Sequence, residues 1–172
     1  DLSQRGHAIE CRLYAEDPRN GFLPAVGEIL LFQPPQGVGV RVDSGVESGD
    51  RITIHYDPMI AKLIVYERTR EAALQRMDMA LHDTVILGTN TNLSFLRVLI
   101  NHPAFAAGEV DTGFIERHLD ELLPPEPALP DAALIAAALL DQIGGTSRTQ
   151  AAPQQAADPW SRADHFRIGQ GS

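Results

Sequence analysis

The sequence predicts an α+β domain: an antiparallel sheet or small barrel followed by helices, with a partly disordered C-terminal extension. Three observations carry this reading. Short alternating apolar and polar runs with turn signals between them fill the first third of the 172 residues. The hydrophobic period then changes from two to about 3.6. After Leu123 the composition turns to proline and small residues, and strands followed by helices, rather than strict alternation, define the α+β class.

Residues 7–17 read as a half-buried strand, with His7, Ile9, Cys11 and Leu13 on one face and Ala8, Glu10, Arg12 and Tyr14 on the other. Gly21-Phe22-Leu23-Pro24 breaks it. Two β-rich runs follow at 28–32 and 38–42, and Pro34-Pro35-Gln36-Gly37 between them predicts a hairpin loop. Alternation returns at 51–55, Tyr56-Asp57-Pro58 turns the chain, and 60–67 is the fifth strand.

Thr69 is a suitable helix N-cap, with Glu71 in the first turn. Leu74, Met77, Leu81 and Val85 then recur at helical spacing until Gly88 offers a stop. A second helix fits 92–100. Pro103 interrupts, and a third helix starting near Asp111 places Phe114, Ile115, His118, Leu119 and Leu122 inward. The expected organisation is a domain at 1–123, a proline-rich linker at 124–131 and a further region at 132–172. That region opens with an apolar helix at 132–143. Residues 144–158 have too few large apolar side chains to offset the entropy of ordering and are expected to be mobile. The ending around Asp158-Pro159-Trp160 and Phe166 reads as the beginning of another domain.

With 44% hydrophobic residues the chain can bury a core, and its net charge of -9 disfavours nucleic acid and anionic membranes, which are held by clustered basic charge. No apolar run approaches the roughly 20 residues that span a bilayer. Cys11 is the single cysteine, so no internal disulfide forms. Cytoplasm is the expected compartment, or an organellar matrix if a transit peptide once preceded the chain.

Most catalytic patterns are absent. Gly37-Val38-Gly39 lacks the further glycine of a dinucleotide fingerprint, and no phosphate loop with its lysine occurs. The six histidines lack the spacing of a hydrolytic zinc site, and no metal site is expected. Cys11, on the apolar strand face, reads as a packing residue. Glu10 and Arg12 stand two apart on one strand face, with Tyr14 extending the line. Pattern leaves two readings open: a solvent-facing salt bridge, or a carboxylate holding a guanidinium ready for an anion.

Longer motifs add to this. Arg5-Gly6-His7-Ala8-Ile9-Glu10-Cys11-Arg12-Leu13-Tyr14-Ala15-Glu16-Asp17-Pro18, Gly21-Phe22-Leu23-Pro24 with Gly27, Tyr56-Asp57-Pro58-Met59-Ile60-Ala61-Lys62-Leu63 and Thr89-Asn90-Thr91-Asn92 occur in order. From about Arg5 to Leu122 the chain resembles the C-terminal domain of biotin carboxylase. The resemblance is greatest to the biotin-containing subunits of acyl-CoA carboxylases of the methylcrotonyl-CoA and propionyl-CoA type. In that family ATP and bicarbonate form carboxyphosphate, and the biotin enolate attacks the carbon dioxide released. The resemblance implies that Arg12 stabilises the enolate, a role suited to a planar, permanently charged guanidinium. Glu10 would orient it. Asp57 lies in a family motif and could contribute, or could simply cap its turn.

The same resemblance implies partners: an ATP-grasp portion before Asp1 carrying ATP and Mg2+ or Mn2+, a separate biotin carrier domain, a carboxyltransferase beta subunit and a possible homodimer. By itself the chain is expected to be inactive. Lys62, the only lysine, sits between Ala61 and Leu63 rather than two methionines, so it is not the biotinylated residue and is expected at the sheet edge. Two other readings stand beside this one. The chain could act as a subunit-assembly module, with a hairpin at Val38 to Arg41 as the contact patch, or be a generic β-barrel binding domain. The same domain also occurs in pyruvate and urea carboxylases.

Overall fold

A computed structural model describes residues 3–123, 125 and 129–144. The chain divides into two units between residues 125 and 126, and each is described by itself.

The first unit is organised by a three-stranded antiparallel sheet in the order β1-β8-β6. Strand β1 is His7–Tyr14, β8 is Met59–Glu67 and β6 is Val40–Ser44. Short strands β2 (Glu16–Asp17), β3 (Leu23–Pro24), β4 (Gly27–Glu28), β5 (Leu31–Gln33), β7 (Arg51–Ile52) and β9 (Val85–Leu87) complete three two-stranded antiparallel ladders, β2-β3, β4-β7 and β5-β9. β1 alternates as its sequence requires: Ile9, Cys11 and Leu13 are buried, and Ala8, Glu10 and Arg12 are exposed. Cys11 is paired in register with Leu63 and Arg12 with Lys62; a bulge after Leu13 leaves the buried Ile60 as the extra residue on β8.

Helix α1 (Arg70–Asp83) covers the inner face, burying Ala73, Leu74, Met77, Ala80 and Leu81. Thr69 caps it, its hydroxyl accepting from the Ala72 amide at 3.2 Å. Leu13, Ile60, Leu63, Val65, Met77 and Leu81 are at most 1% exposed, and burying each such side chain contributes about 1.5–3 kcal/mol.

Several local expectations change. Residues 34–37 do not close a hairpin: β5 pairs with β9 and β6 with β8, so Pro34-Pro35 carries the chain between different ladders. Of 51–55 only Arg51–Ile52 is strand. Val85 is not a fourth helical contact. α1 ends at Asp83, and Val85–Leu87 pairs with Leu31–Gln33, where a β-branched pair suits a strand better than a helix end. Gly88 follows at φ 106°, a conformation suited to glycine, and a Cβ there would overlap the Glu28 carbonyl.

Asn92 stands at the N-cap position of α2 (Leu93–Asn101). Pro103 starts a helix rather than only interrupting one: α3 is Pro103–Ala107, with proline in the first turn, where its missing N–H costs nothing. The expected third helix is two short ones, α4 (Phe114–Arg117) and α5 (Leu119–Leu122). Phe114 and Leu122 are buried, whereas Ile115 and Leu119 are exposed, because the break at His118 turns the helical face.

In the second unit α6 (Asp131–Gly144) forms where the apolar run predicts it. Its Leu134, Ile135, Leu139 and Leu140 are exposed. The expectations for residues beyond 144 lie outside the described residues.

Candidate functional site

The outer face of the three-stranded sheet carries the residues singled out in the sequence. Register sets them in rows: Glu10, Ile64 and Arg41 in one, Arg12, Lys62 and Asp43 in the next. Glu10 and Arg12 do meet, Arg12 Nε donating to Glu10 Oε1 at 3.1 Å, with the side chains 43% and 61% exposed respectively. Glu10 first, and then the Tyr14 hydroxyl, raise the Arg12 guanidinium above its ordinary value. Since Glu10 engages Nε, the guanidinium is steered without its outer nitrogens being spent on that carboxylate.

The backbone beneath Arg12 is held from the side. β1 is an edge strand, whose free N–H and C=O groups need partners. Asn92, buried, supplies them: its Nδ2 donates to the Arg12 carbonyl at 3.1 Å, its Oδ1 accepts from the Tyr14 amide at 3.0 Å, and its own amide donates to the Tyr14 carbonyl at 3.2 Å. Glu16 nearby is pushed up by burial, against a hydrogen bond with Asn92. Behind the site, burial and then Glu10 push the Cys11 thiol up to about 12, which makes it an inert packing group.

Asp57 caps its turn, Oδ1 accepting from the Met59 amide at 2.9 Å. It also lines an open cleft of about 310 Å3 with Asp50, Arg51, Tyr56 and Met59. Register puts Met59 opposite Tyr14, so Asp57 lies beyond the Arg12 end of the ladder. Val38 is 90% exposed, and its carbonyl accepts from Arg76 Nη1 at 2.6 Å. Arg76 Nε is bound in turn to Glu67 at 2.6 Å and lowers that carboxyl. Arg41 grips Asp43 through two bonds, 2.8 and 2.9 Å, and lowers its carboxyl.

Sequence reasoning missed Asp43 and the placing of Lys62, and had Asn92 within a motif and at a helix start without its hold on β1. Asp43 was findable, since Arg41-Val42-Asp43 repeats the spacing of Glu10-Cys11-Arg12. Lys62 is not at a sheet edge: β8 is the central strand, and Lys62 is half-buried between Arg12 and Asp43. That placing does not suit a biotinylated lysine, which must be presented freely.

One further cluster could in principle hold a metal. His102, His118 and Glu121 bring their ligand atoms within 4.8 Å of one another. His102 Nδ1, however, accepts from the Ala104 amide at 3.3 Å, so in the neutral ring Nε2 carries the proton and donates to Glu121 at 3.1 Å. A metal at Nε2 would have to displace that cap. Two imidazoles and one carboxylate also do not suit Mg2+, which prefers six oxygens.

Comparison with known proteins fits this frame. The family model described as the biotin carboxylase C-terminal domain matches residues 10–117, and the chain belongs to that family. Among curated relatives it is similar to the mitochondrial methylcrotonoyl-CoA carboxylase subunit alpha of Dictyostelium discoideum, at 43% identity over 171 residues, 97% of this chain and 24% of that one. The corresponding subunit of Oryza sativa subsp. japonica is 50% identical over 119 residues, 69% of this chain and 16% of its own. Among solved structures, the biotin carboxylase subunit of pyruvate carboxylase matches with a TM-score of 0.68 at 37% identity, covering 71% of this chain and 27% of that one. The complete multifunctional pyruvate carboxylase of Rhizobium etli matches with a TM-score of 0.73 at 33% identity, covering 81% and 13%. The chain thus spans about a quarter or less of the length of these relatives.

Proposed function

We propose that this chain is the C-terminal part of the biotin carboxylase component of an acyl-CoA carboxylase, in which Arg12 donates to the ureido oxygen of carrier-bound biotin as negative charge develops there. The single observation that supports the reading is the Arg12 guanidinium. It stands exposed on the sheet, steered through Nε by Glu10 and fixed at its backbone by Asn92. Such a donor is preorganised, so it stabilises developing charge without reorganising when the charge appears. Glu10 acts as a positioning residue. Asp57 is assigned a minor part, since its Oδ1 is occupied by the Met59 amide.

ATP and its metal ion belong to the ATP-grasp portion of the same subunit, and biotin to a carrier domain. In this reading the chain supplies only part of the site and is inactive alone. Residues 1–123 are assigned to the biotin carboxylase domain, 124–131 to a linker and 132–172 to the region leading to the carrier. A carboxyltransferase beta subunit is the further partner, and cytoplasm or an organellar matrix the compartment.

The test is Arg12→Gln in the intact subunit. Losing one such donor is expected to slow biotin carboxylation on the order of a hundredfold to a thousandfold while leaving ATP binding unchanged. Arg12→Lys should recover little, because an ammonium cannot reproduce the two-pronged guanidinium. Near-normal carboxylation by a folded Arg12→Gln enzyme would reduce the Glu10–Arg12 pair to a surface salt bridge.

A second role is favoured by Val38, an apolar residue 90% exposed and anchored through its carbonyl. With Arg41 it forms a contact patch for assembly with another subunit, compatible with the first role on the same domain.

A further inference from the structure

The placing of Lys62 is unusual on electrostatic grounds. Side chains directly opposite on neighbouring strands interact modestly, and like charges there are unfavourable. Yet the chain sets its only lysine opposite Arg12. The nearby carboxylates do not cancel this. Glu10 is bound to Arg12 Nε, and Asp43 is bound through both oxygens by Arg41. Among the described residues the Lys62 ammonium makes no hydrogen bond and no ion pair, and acts on Asp43 only through space. The patch therefore holds three cations (Arg12, Arg41 and Lys62) against two carboxylates, on a chain whose net charge is -9.

A lysine serving only solubility needs no such position. Its stem could cover Ile64 while its head reached water on any outer row. Here the register sets Lys62 on the row of Arg12, and a bound anion would draw both cations to itself. The strand geometry suits one small anion: facing residues have Cβ atoms roughly 4.5–5.5 Å apart, so both heads can converge on a single oxygen or on two oxygens of one group.

We infer that Arg12 and Lys62 form a two-cation seat for one small oxyanion, with Lys62 the second donor to the charge that develops on the biotin ureido group. This rests on the reading of Arg12 above and deepens it. Arg12 gives directional, paired hydrogen bonds; Lys62 gives a compact charge with donors that can follow the oxygen as it becomes anionic. Asp43, kept ionised by Arg41, steadies the ammonium without quenching it.

The experiment uses the intact subunit and compares Lys62→Gln, Arg12→Gln and the double variant, following biotin carboxylation, ATP affinity and melting temperature. Lys62→Gln should slow carboxylation at least tenfold, leave ATP affinity unchanged and be partly rescued by Lys62→Arg. Because both donors act on one oxyanion, the double variant should lose less than the product of the single losses. If Lys62→Gln lowers the melting temperature, Lys62→Met keeps the packing of the stem and repeats the test with the charge removed. A folded Lys62 variant carboxylating within twofold of wild type, while Arg12→Gln is slow, overturns the inference and leaves the Arg12 reading standing. Wild-type rates in both single variants overturn the Arg12 reading as well.

Discussion

The two faces of the β1-β8-β6 sheet use neighbouring residues for opposite purposes. On the inner face Ile9, Cys11, Leu13, Leu63 and Val65 are closed off from solvent beneath α1, and nothing ionised is among them. On the outer face Glu10, Arg12, Arg41, Lys62 and Asp43 stand at the intervening positions. A strand turns every second side chain over, so stability and candidate chemistry are separated by one residue. A slip of one register step would bury the charges and expose the core. The difference teaches that the outer charges are not needed to hold the sheet together, because the inner face already fixes its register.

The largest effect that sharpens this contrast is Leu63→Ala. Leu63 is fully buried, and truncation should cost about 2–5 kcal/mol in denaturant unfolding. A cost below about 1 kcal/mol would mean that the inner face does not carry the fold. Next is Asn92→Ala, which links the faces by removing the partners of the Arg12 carbonyl and the Tyr14 amide. It should cost about 1–3 kcal/mol, and in the intact subunit should slow carboxylation beyond what stability explains.

The pH profile tests a pair outside the sheet. Hydrogen bonds from His102 and then His118 hold Glu121 below the ordinary glutamate value of 4.5. A depressed carboxyl contributes stability that is complete above its unfolded value and is lost as pH falls through its folded value. Glu121→Gln should therefore flatten the fall in stability below about pH 4.5, seen in thermal melts across that range. Smallest in stability is Val38→Asp combined with Arg41→Ala. The melting temperature should hold, while light scattering of the intact subunit reports a lower mass. An unchanged mass removes the assembly reading.

Much of this was legible in the strand that reads HAIECRLY. Its alternation gave the buried and exposed sets residue by residue, and Thr69 announced α1 through its hydroxyl. What was not legible depended on partners distant in sequence. Val85 kept helical spacing with Leu81 yet became strand because Leu31–Gln33 needed a partner. The two-proline loop looked local and is not. Lys62 could be assigned a strand but not a place in the sheet, since strand order is decided by pairing. The Glu10–Arg12 contact followed from spacing alone, whereas the grip of Asn92 on Arg12 joins positions 80 apart.

That distance bears on time. β1 is made before its ladder partner β8, which lies some fifty residues later, and the polar groups along its other edge wait for Asn92. Pairings of such separation form slowly, because the intervening chain must be closed into a loop first. Until then β1 is a strand with one apolar face and open edges, the kind of segment that neighbouring nascent chains can capture. Within its own sheet, the strand that carries Arg12 is thus made before its partners and completed only after them.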